Sequence, residues 1–328
     1  MTKFPLGPTW QTQDPFLFCA YHLDHYPKGN DEMGPATPLD GRNLGSDFES
    51  KDGWRMYHGT KIPGFPYHPH RGFETVTLAN KGYCDHSDSL GAAGRFGNGD
   101  VQWMTAGIGV QHSEMFPLLH THKDNPLELL QLWLNLPRAK KFVQPHFKML
   151  WKETIPELKD NGVQIKLIAG TYKTQKAPSA APDSWASDEN NHVRIMIIRL
   201  EPQAALEIDS IPTGINRSLY FFEGDSLGVN NTTVQSLTGL YLNGEAALQL
   251  RNGEKESRIL ILEGRPIGEP VAKYGPFVMN TDQEIREAMR DYGKTQFGGW
   301  PWPVAEQVHD RDRGRFALFP DGSLEEMD

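Results

Sequence analysis

Two short segments carry side chains that could bind one metal ion together. The first contains His68 and His70, and the second contains His112 and Glu114. In a β-strand, residues two apart point to the same face, so each segment presents its two ligand-type side chains side by side. Three imidazole nitrogens and one carboxylate oxygen suit a first-row transition metal and leave positions for water or substrate. The spacing predicts a metal site where these two strands meet inside a barrel.

Two carboxylates compete for the oxygen position of this site. Glu74 lies four residues after His70 and shares the strand parity of the first two histidines, whereas Glu114 shares the parity of His112. Spacing alone does not choose between them. Fe, Mn, Co, Ni, Cu and Zn all suit such a ligand set, so the ligand types do not identify the metal either.

Other histidines fit the site less well. His22 and His25 are three apart and would point to opposite faces of a strand, so ordinary polar or packing roles are favoured. His86 is expected at the surface of a returning strand. His120 and His122 lie in a stretch rich in Pro, Lys and Asp, which is typical of a loop.

The flanking sequence predicts strands joined by turns. Residues 73–79 alternate and are rich in β-branched side chains, and Asn-Lys-Gly at 80–82 indicates a hairpin turn. Residues 127–136 alternate apolar and polar side chains, which predicts a strand buried mainly on one face. A second β-rich half follows from residue 193, in which Glu-Gly-Asp at 223–225 is expected to form the corresponding hairpin turn.

The second half lacks the ligand pattern, because its histidines are His192 and His309 and neither belongs to a His-x-His pair. One helix is expected after it. Thr281 and Glu284 form a capping box, an apolar series at helical spacing follows, and Gly293 is the expected C-terminal stop.

Composition excludes several classes of function. The chain has 328 residues, which favours two domains, and a net charge of -9, which argues against direct binding to nucleic acid. No run of about 20 apolar residues predicts a membrane span, and the N-terminus lacks the apolar core of a signal peptide. Cys19 and Cys84 form no disulfide framework, so reduced thiols in a cytoplasmic protein are expected.

Two glycine-rich segments are interpreted as loops. Residues 28–53 form a long surface loop without the strand, turn and helix of a dinucleotide-binding unit. Residues 91–100 lack the Gly-Lys-Ser/Thr of a phosphate loop and precede no helix. His58, just after the first loop, could line the barrel mouth.

The longer motifs around the ligands resemble one known family. Residues 64–82 are similar to the first cupin motif, slightly compressed at its start. His-Pro-His-Arg-Gly-Phe-Glu-Thr-Val-Thr from His68, Gly-Asp-Val-Gln-Trp-Met-Thr-Ala-Gly from Gly99 and His-Ser-Glu-Met from His112 look like signatures of the pirins, a bicupin branch. The general cupin pattern differs in having a histidine where this chain has Trp103. The resemblance covers roughly residues 54–137 and 190–293.

The resemblance implies an all-β fold of two tandem cupin barrels (double-stranded β-helix, or jelly-roll), with a short C-terminal helix. We expect an N-terminal metal-binding pirin/cupin domain over 1–148 and a linker with a connecting strand over 149–192. A C-terminal cupin domain without metal ligands, with the helix and tail, is expected over 193–328.

The resemblance also implies the ligands and the activity. In pirins the ligands are the two histidines of the first motif and the histidine and glutamate of His-Ser-Glu, here His68, His70, His112 and Glu114. The usual metal is iron, so Fe(II) is expected. Some pirins resemble quercetinases, which implies a dioxygenase acting on a flavonol or similar aromatic enol, with Glu114 as proton acceptor. The resemblance to other pirins implies an alternative function, that of a non-catalytic regulator that binds a transcription factor or metabolic enzyme.

Overall fold

The computed structural model describes residues 1–327, whose regular structure is mostly β-strand. The strands before residue 151 are β1 Thr2–Pro5, β2 Thr9–Trp10, β3 Phe16–Tyr26, β4 Gly64–His70, β5 Phe73–Lys81, β6 Tyr83–Asp88, β7 Ala93–Gly97, β8 Asp100–Thr105, β9 Val110–Met115, β10 Asn125–Asn135 and β11 His146–Leu150. Those from there to residue 264 are β12 Glu157–Asp160, β13 Val163–Ala169, β14 Thr171–Tyr172, β15 Gln175–Lys176, β16 Arg194–Leu200, β17 Ala205–Ile208, β18 Asn216–Glu223, β19 Ser226–Val229, β20 Thr232–Gln235, β21 Thr238–Leu242, β22 Leu248–Asn252 and β23 Ser257–Gly264. The remaining elements are β24 Ala272–Tyr274, β25 Phe277–Met279, helix α1 Asp282–Thr295, β26 Arg315–Leu318 and β27 Leu324–Met327. Short 3-10 turns occur at Arg138–Lys140, Trp185–Ser187, Glu189–Asn191 and Gln296–Gly298.

The chain forms two compact units, which we call the first and the second barrel. The first barrel comprises Tyr21–Gln131, Arg138–Lys152 and the chain from Glu269 onward. The second comprises Met1–Ala20, Leu132–Pro137 and Glu153–Gly268. The all-β prediction of two cupin barrels with a short C-terminal helix is confirmed. No helix within residues 1–327 is both long and apolar enough to span a membrane.

Two sheets build the first barrel. One has the order β27–β26–β7–β6–β9–β4, and the other contains β11–β8–β5–β10–β3. Their inward side chains form an apolar core that includes Phe96, Phe116, Leu129 and Phe147. Burying one such side chain stabilises the fold by about 1.5–3 kcal/mol. This core supports the strands that carry the histidines.

The predicted hairpin at residues 80–82 was wrong. β5 pairs with β8, and β6 pairs with β7 and β9, so the turn at Gly82 carries the chain from one sheet to the other. Gly82 has φ +75, and a Cβ there would lie 2.7 Å from the Pro126 carbonyl oxygen. The turn at 223–225 was also expected to be a hairpin but joins two sheets, because β18 and β19 belong to different sheets.

The second barrel has the same two-sheet plan. Its sheets have the orders β1–β21–β18–β23–β16–β13–β12 and β17–β22–β19–β20. Alternating apolar residues of β16, β18 and β23 fill its core, among them Met196, Ile198, Leu219, Phe221 and Ile261. Its inner face is therefore apolar where the first barrel carries histidines.

Each end of the chain packs in the other barrel from the one in which the expected domain ranges place it. β1 pairs with β21, with Thr2 opposite Tyr241, so residues 1–20 belong to the second barrel. β26 pairs with β7 of the first barrel, and buried Arg95 donates to the carbonyl oxygens of His309, Asp310, Arg311 and Arg313. The C-terminal tail is thus part of the first barrel because strand pairing and a guanidinium hold it there. The expected boundaries near residues 148 and 192 stay a prediction.

Helix α1 begins as the capping box predicts. The Thr281 side chain accepts a hydrogen bond from the Glu284 amide, and the Glu284 carboxylate accepts one from the Asn280 amide. The expected stop at Gly293 was wrong: the helix continues to Thr295, and its C-cap, Gln296, has the left-handed conformation. Its apolar face, including Ile285 and Ala288, packs with β25 in the first barrel.

Candidate metal centre

The histidines lie on the antiparallel pair β4 and β9. His68 is directly opposite His112, and His70 is opposite Val110. The register shifts between Phe65 and His68, so an irregularity precedes the first histidine. The strands bring together the three imidazoles whose spacing predicted a common site.

The imidazole geometry suits a metal. One ring nitrogen from each of His68, His70 and His112 lies within 4.8 Å of the others. The Nε2 atoms of His68 and His112 are 3.1 Å apart. Metal–nitrogen bonds of about 2.1 Å at right angles would place two donors about 3.0 Å apart, so this pair fits adjacent coordination positions. No second cluster of three ligand-type side chains occurs among residues 1–327.

All three imidazoles are favoured in the neutral form that binds metal. Burial lowers the pKa of His68 to about 4. Burial and the neighbouring imidazoles also hold the pKa values of His70 and His112 well below the usual range. Protons therefore compete weakly for these nitrogens at neutral pH.

Backbone carbonyls orient two of the three rings. His68 Nδ1 donates to the Pro66 carbonyl at 2.9 Å, and His70 Nδ1 donates to the Pro276 carbonyl at 3.3 Å. With the proton on Nδ1, the lone pair of each ring lies on Nε2, the arrangement of many histidine ligands in metal sites. Within the described chain, His112 Nδ1 has no hydrogen-bond partner. A donor set of neutral, oriented imidazoles fits a divalent transition metal.

The Glu114 carboxylate lies beside His112 of the cluster. Its Oε2 lies 3.9 Å from His112 Nε2 and accepts a hydrogen bond from Gln131 Nε2 at 2.6 Å. Its Oε1 accepts one from Thr77 Oγ1 at 3.1 Å. Burial raises the pKa of Glu114 above its ordinary value, and these two hydrogen bonds act in the opposite direction. The carboxyl group is thus held beside the imidazoles by donors from two other strands.

Glu74, the other carboxylate of matching parity, lies outside the three-histidine cluster. It is fully buried and accepts a hydrogen bond from Thr105 Oγ1 at 2.7 Å. Glu74 lies on β5, which pairs with β8, whereas Glu114 lies on β9, the strand that carries His112. The assignment of Glu114 as the oxygen ligand stays a prediction, consistent with this geometry.

Several weaker candidates are also placed by the structure. The surface position expected for His86 was wrong, because β6 is flanked by two strands and the His86 ring stacks on Phe147 with no exposed surface. His120 and His122 lie in the loop before β10, as expected. His58 is exposed, and Nδ1 of its ring donates to the Gly45 carbonyl at 2.7 Å.

Sequence reasoning missed the two donors to Glu114. Gln131 shares the strand parity of Leu129, which is in the core, so it was recognisable as a polar side chain on an inward face. Thr77 gave no such signal, because threonine is common in strands. Their role follows only from the arrangement of β5, β9 and β10.

Two sheets closing around convergent imidazoles define the class of this protein, which is a cupin with a candidate metal centre in one of two barrels. Residues 3–134 match the Pirin family, and residues 195–298 match the Pirin C-terminal cupin domain. The chain belongs to the pirin family.

Similar proteins fall under two kinds of name. A protein of Pseudomonas aeruginosa named "Putative quercetin 2,3-dioxygenase" is 36% identical over 234 residues, which are 70% of this chain and 79% of the relative. The pirin of Rattus norvegicus is 34% identical over 251 residues, 74% of this chain and 80% of its own. A crystal structure of quercetin 2,3-dioxygenase from Acinetobacter baumannii superposes with a TM-score of 0.74 at 28% identity, covering 91% of this chain and 98% of that one.

Proposed function

We propose that this pirin is a metal-dependent dioxygenase of the quercetinase type, which cleaves a flavonol or a similar aromatic enol with O2. The observation that carries the proposal is the convergence of three neutral imidazoles at a barrel interior, two of them buried and that of His68 half-buried. Relatives named for quercetin 2,3-dioxygenase support the reaction class. Closed structural sites favour thiolates, whereas histidine and carboxylate sets commonly keep positions open for substrate.

His68, His70, His112 and Glu114 would hold the metal, and we propose Fe(II), with Mn, Co, Ni, Cu and Zn as alternatives. The bound metal would supply Lewis acidity toward a substrate hydroxyl and a means of activating O2. Glu114 is the proposed proton acceptor for that hydroxyl, because it is the carboxyl group beside the cluster and burial raises its pKa toward the working range. Thr77 and Gln131 keep both of its oxygens oriented.

Anaerobic reconstitution tests the activity. The protein is loaded with Fe(II), or with Mn, Co, Ni or Cu, and O2 uptake and carbon monoxide release are measured with quercetin. We expect one O2 consumed for each carbon monoxide released, and loss of both in His70→Ala. His120→Ala is the matched control, because its histidine lies in the loop before β10 and not in the cluster. Stoichiometric metal binding without O2 uptake on any metal would refute the flavonol reaction.

A second candidate is a metal-binding regulator that acts on a protein partner such as a transcription factor or a metabolic enzyme. Relatives named simply pirin, together with exposed apolar side chains such as Phe142, support it. The negative net charge permits a protein partner and argues against nucleic acid. We also propose a cytoplasmic location, because Cys19 and Cys84 are both buried free thiols.

A further inference from the structure

A buried chain of polar side chains in the first barrel ends at His22. Arg55 donates to both carboxylate oxygens of Asp24, at 2.9 and 3.1 Å. Tyr57 Oη donates to Asp24 Oδ2 at 2.6 Å, and His22 Nδ1 lies 2.8 Å from Tyr57 Oη. Asp24 and Tyr57 are almost completely buried, whereas His22 is half-buried. None of these residues belongs to the histidine cluster.

This chain fixes the tautomer of His22. Burial raises the pKa of Asp24, whereas the hydrogen bonds from Arg55 and Tyr57 and the Arg55 charge act in the opposite direction. The ionised carboxylate only accepts hydrogen bonds, so the Tyr57 hydroxyl proton points toward it. The Tyr57 oxygen then accepts from His22 Nδ1–H, which leaves His22 Nε2 with a bare lone pair. Burial and the Arg55 charge lower the pKa of His22 to about 3, so the ring is neutral at ordinary pH. Nε2 has no hydrogen-bond partner among the described residues.

The backbone at Tyr57 supports a specific role for this arrangement. Tyr57 has φ 59, in the left-handed region that an aromatic residue seldom adopts. The amides and carbonyls of Tyr57 and Asp47 exchange hydrogen bonds of 2.8 and 2.9 Å. The strained conformation is thus held by backbone pairing, and it places the hydroxyl between Asp24 and His22.

His22 faces the same part of the barrel as the metal-site histidines. It shares the strand parity of Tyr26, which packs in the core of the first barrel. The Phe65 ring centre lies 5.8 Å from His22 and 6.3 Å from His68. His68 is half-buried, whereas His70 and His112 are buried, so the cluster is accessible from the His68 side. One aromatic ring therefore separates His22 from the accessible edge of the candidate metal centre.

A partly exposed aromatic surface lies beside this ring. Phe48, from the long loop, is 46% exposed, and its ring lies 6.4 Å from Phe65 and 4.9 Å from His58. Arg42 fixes the loop: it lies 3.2 Å over the Trp54 ring and donates to the neighbouring Asp47 carboxylate at 3.0 Å. The Phe48 ring is thus presented by a braced loop, and exposed aromatic surface of this kind suits a flat aromatic ligand.

We propose that His22 is a specificity-determining residue for a planar polyphenol. One hydroxyl of this ligand binds at the metal, and another donates a hydrogen bond to His22 Nε2. Phe65 and Phe48 contact the aromatic rings of this ligand. The binding of one hydroxyl at the metal rests on the proposed function, whereas the hydrogen bond to His22 depends only on the Arg55–Asp24–Tyr57–His22 chain. His22 acts as an acceptor that distinguishes ligands by the presence of the second hydroxyl.

The first test examines the chain without any ligand. In the Zn-loaded protein, the ¹⁵N chemical shifts of the His22 ring are expected to show the Nδ1–H tautomer. Tyr57→Phe removes one oxygen atom and keeps the ring, and it should give a mixture of tautomers or the Nε2–H form. Wild-type His22 in the Nε2–H form would overturn the proposal, because no bare Nε2 would face the ligand.

The second test compares two probes bound to the Zn-loaded, anaerobic protein by calorimetry. Quercetin carries several hydroxyls, whereas 3-hydroxyflavone keeps the rings and only the hydroxyl proposed for the metal. One hydrogen bond corresponds to about a tenfold change in affinity, so His22→Leu and Tyr57→Phe should weaken quercetin binding about tenfold. Neither should change 3-hydroxyflavone binding by more than about twofold.

The controls separate the possible failures. His25→Leu, at an exposed position on the same strand, should bind both probes like the wild type. Equal weakening of both probes, or no weakening of quercetin, would overturn the role of His22. Failure of quercetin to bind the wild type would overturn it as well. Absence of O2 uptake despite selective quercetin binding would refute the dioxygenase and leave the role of His22 intact.

Discussion

Replacing Gln131 with leucine would remove the shorter of the hydrogen bonds that Gln131 and Thr77 donate to Glu114. Glu114 is only 3% exposed, so water does not readily replace the 2.6 Å bond from Gln131 Nε2 to Oε2. Hydrogen bonds to charged groups contribute about 1.5–3 kcal/mol, and each 1.4 kcal/mol is about tenfold in affinity. If the anionic carboxylate binds the metal, Gln131→Leu should raise the Glu114 pKa and weaken metal binding about 10- to 100-fold.

Chelator competition at neutral pH, with Zn and Mn, measures this effect. Thr77→Val is the matched control, because it removes the longer bond of 3.1 Å to the other oxygen and should weaken metal binding less. Chemical denaturation of the metal-free proteins shows whether either change merely destabilises the barrel. If Gln131→Leu binds both metals within about twofold of the wild type, Glu114 does not act as a ligand oriented by Gln131.

Two further predictions concern pH and the tail. Because burial lowers the pKa of His68 to about 4 and also lowers those of His70 and His112, the unfolded chain takes up protons below about pH 6.5 while the folded chain does not. In the metal-free protein, the contribution of these histidines to the free energy of unfolding should be fully present above that pH and decrease as the pH falls toward 4. Denaturation midpoints measured across this range test the prediction. Arg95→Met should cost about 3–5 kcal/mol of unfolding free energy, because it leaves the buried Asp85 charge unpaired; an unchanged midpoint would contradict this.

The histidines of the candidate metal centre were predictable because strand parity is a local property. His68 and His70 must share a face in any strand, and the pairing of β4 with β9 needed only to bring His112 opposite. The carboxylate was not predictable in this way, since Glu74 and Glu114 both have suitable parity. The choice depends on which strands are neighbours, and that depends on contacts distant in sequence.

The wrong hairpins have the same origin. A turn signal such as Asn-Lys-Gly at 80–82 shows where the chain reverses, but not which strand the next segment will pair with. In this fold β5 finds its partners in β8 and β10, and β6 finds its partners in β7 and β9. Gly82 therefore connects two sheets, and the misplacement of His86 at the surface follows from the same error.

The chain ending at His22 shows what local patterns omit altogether. His22 and Asp24 share a strand face, which parity reveals, but Arg55 and Tyr57 reach them from more than 30 residues away, after a loop without strands. Nothing in that loop is periodic, and the position of the Tyr57 hydroxyl depends on a left-handed backbone angle. The metal ligands are set by short-range spacing, whereas the groups proposed to select the ligand are set by loop conformation. Substrate preference in this chain should therefore respond to changes in residues 28–53 that leave metal affinity unaltered.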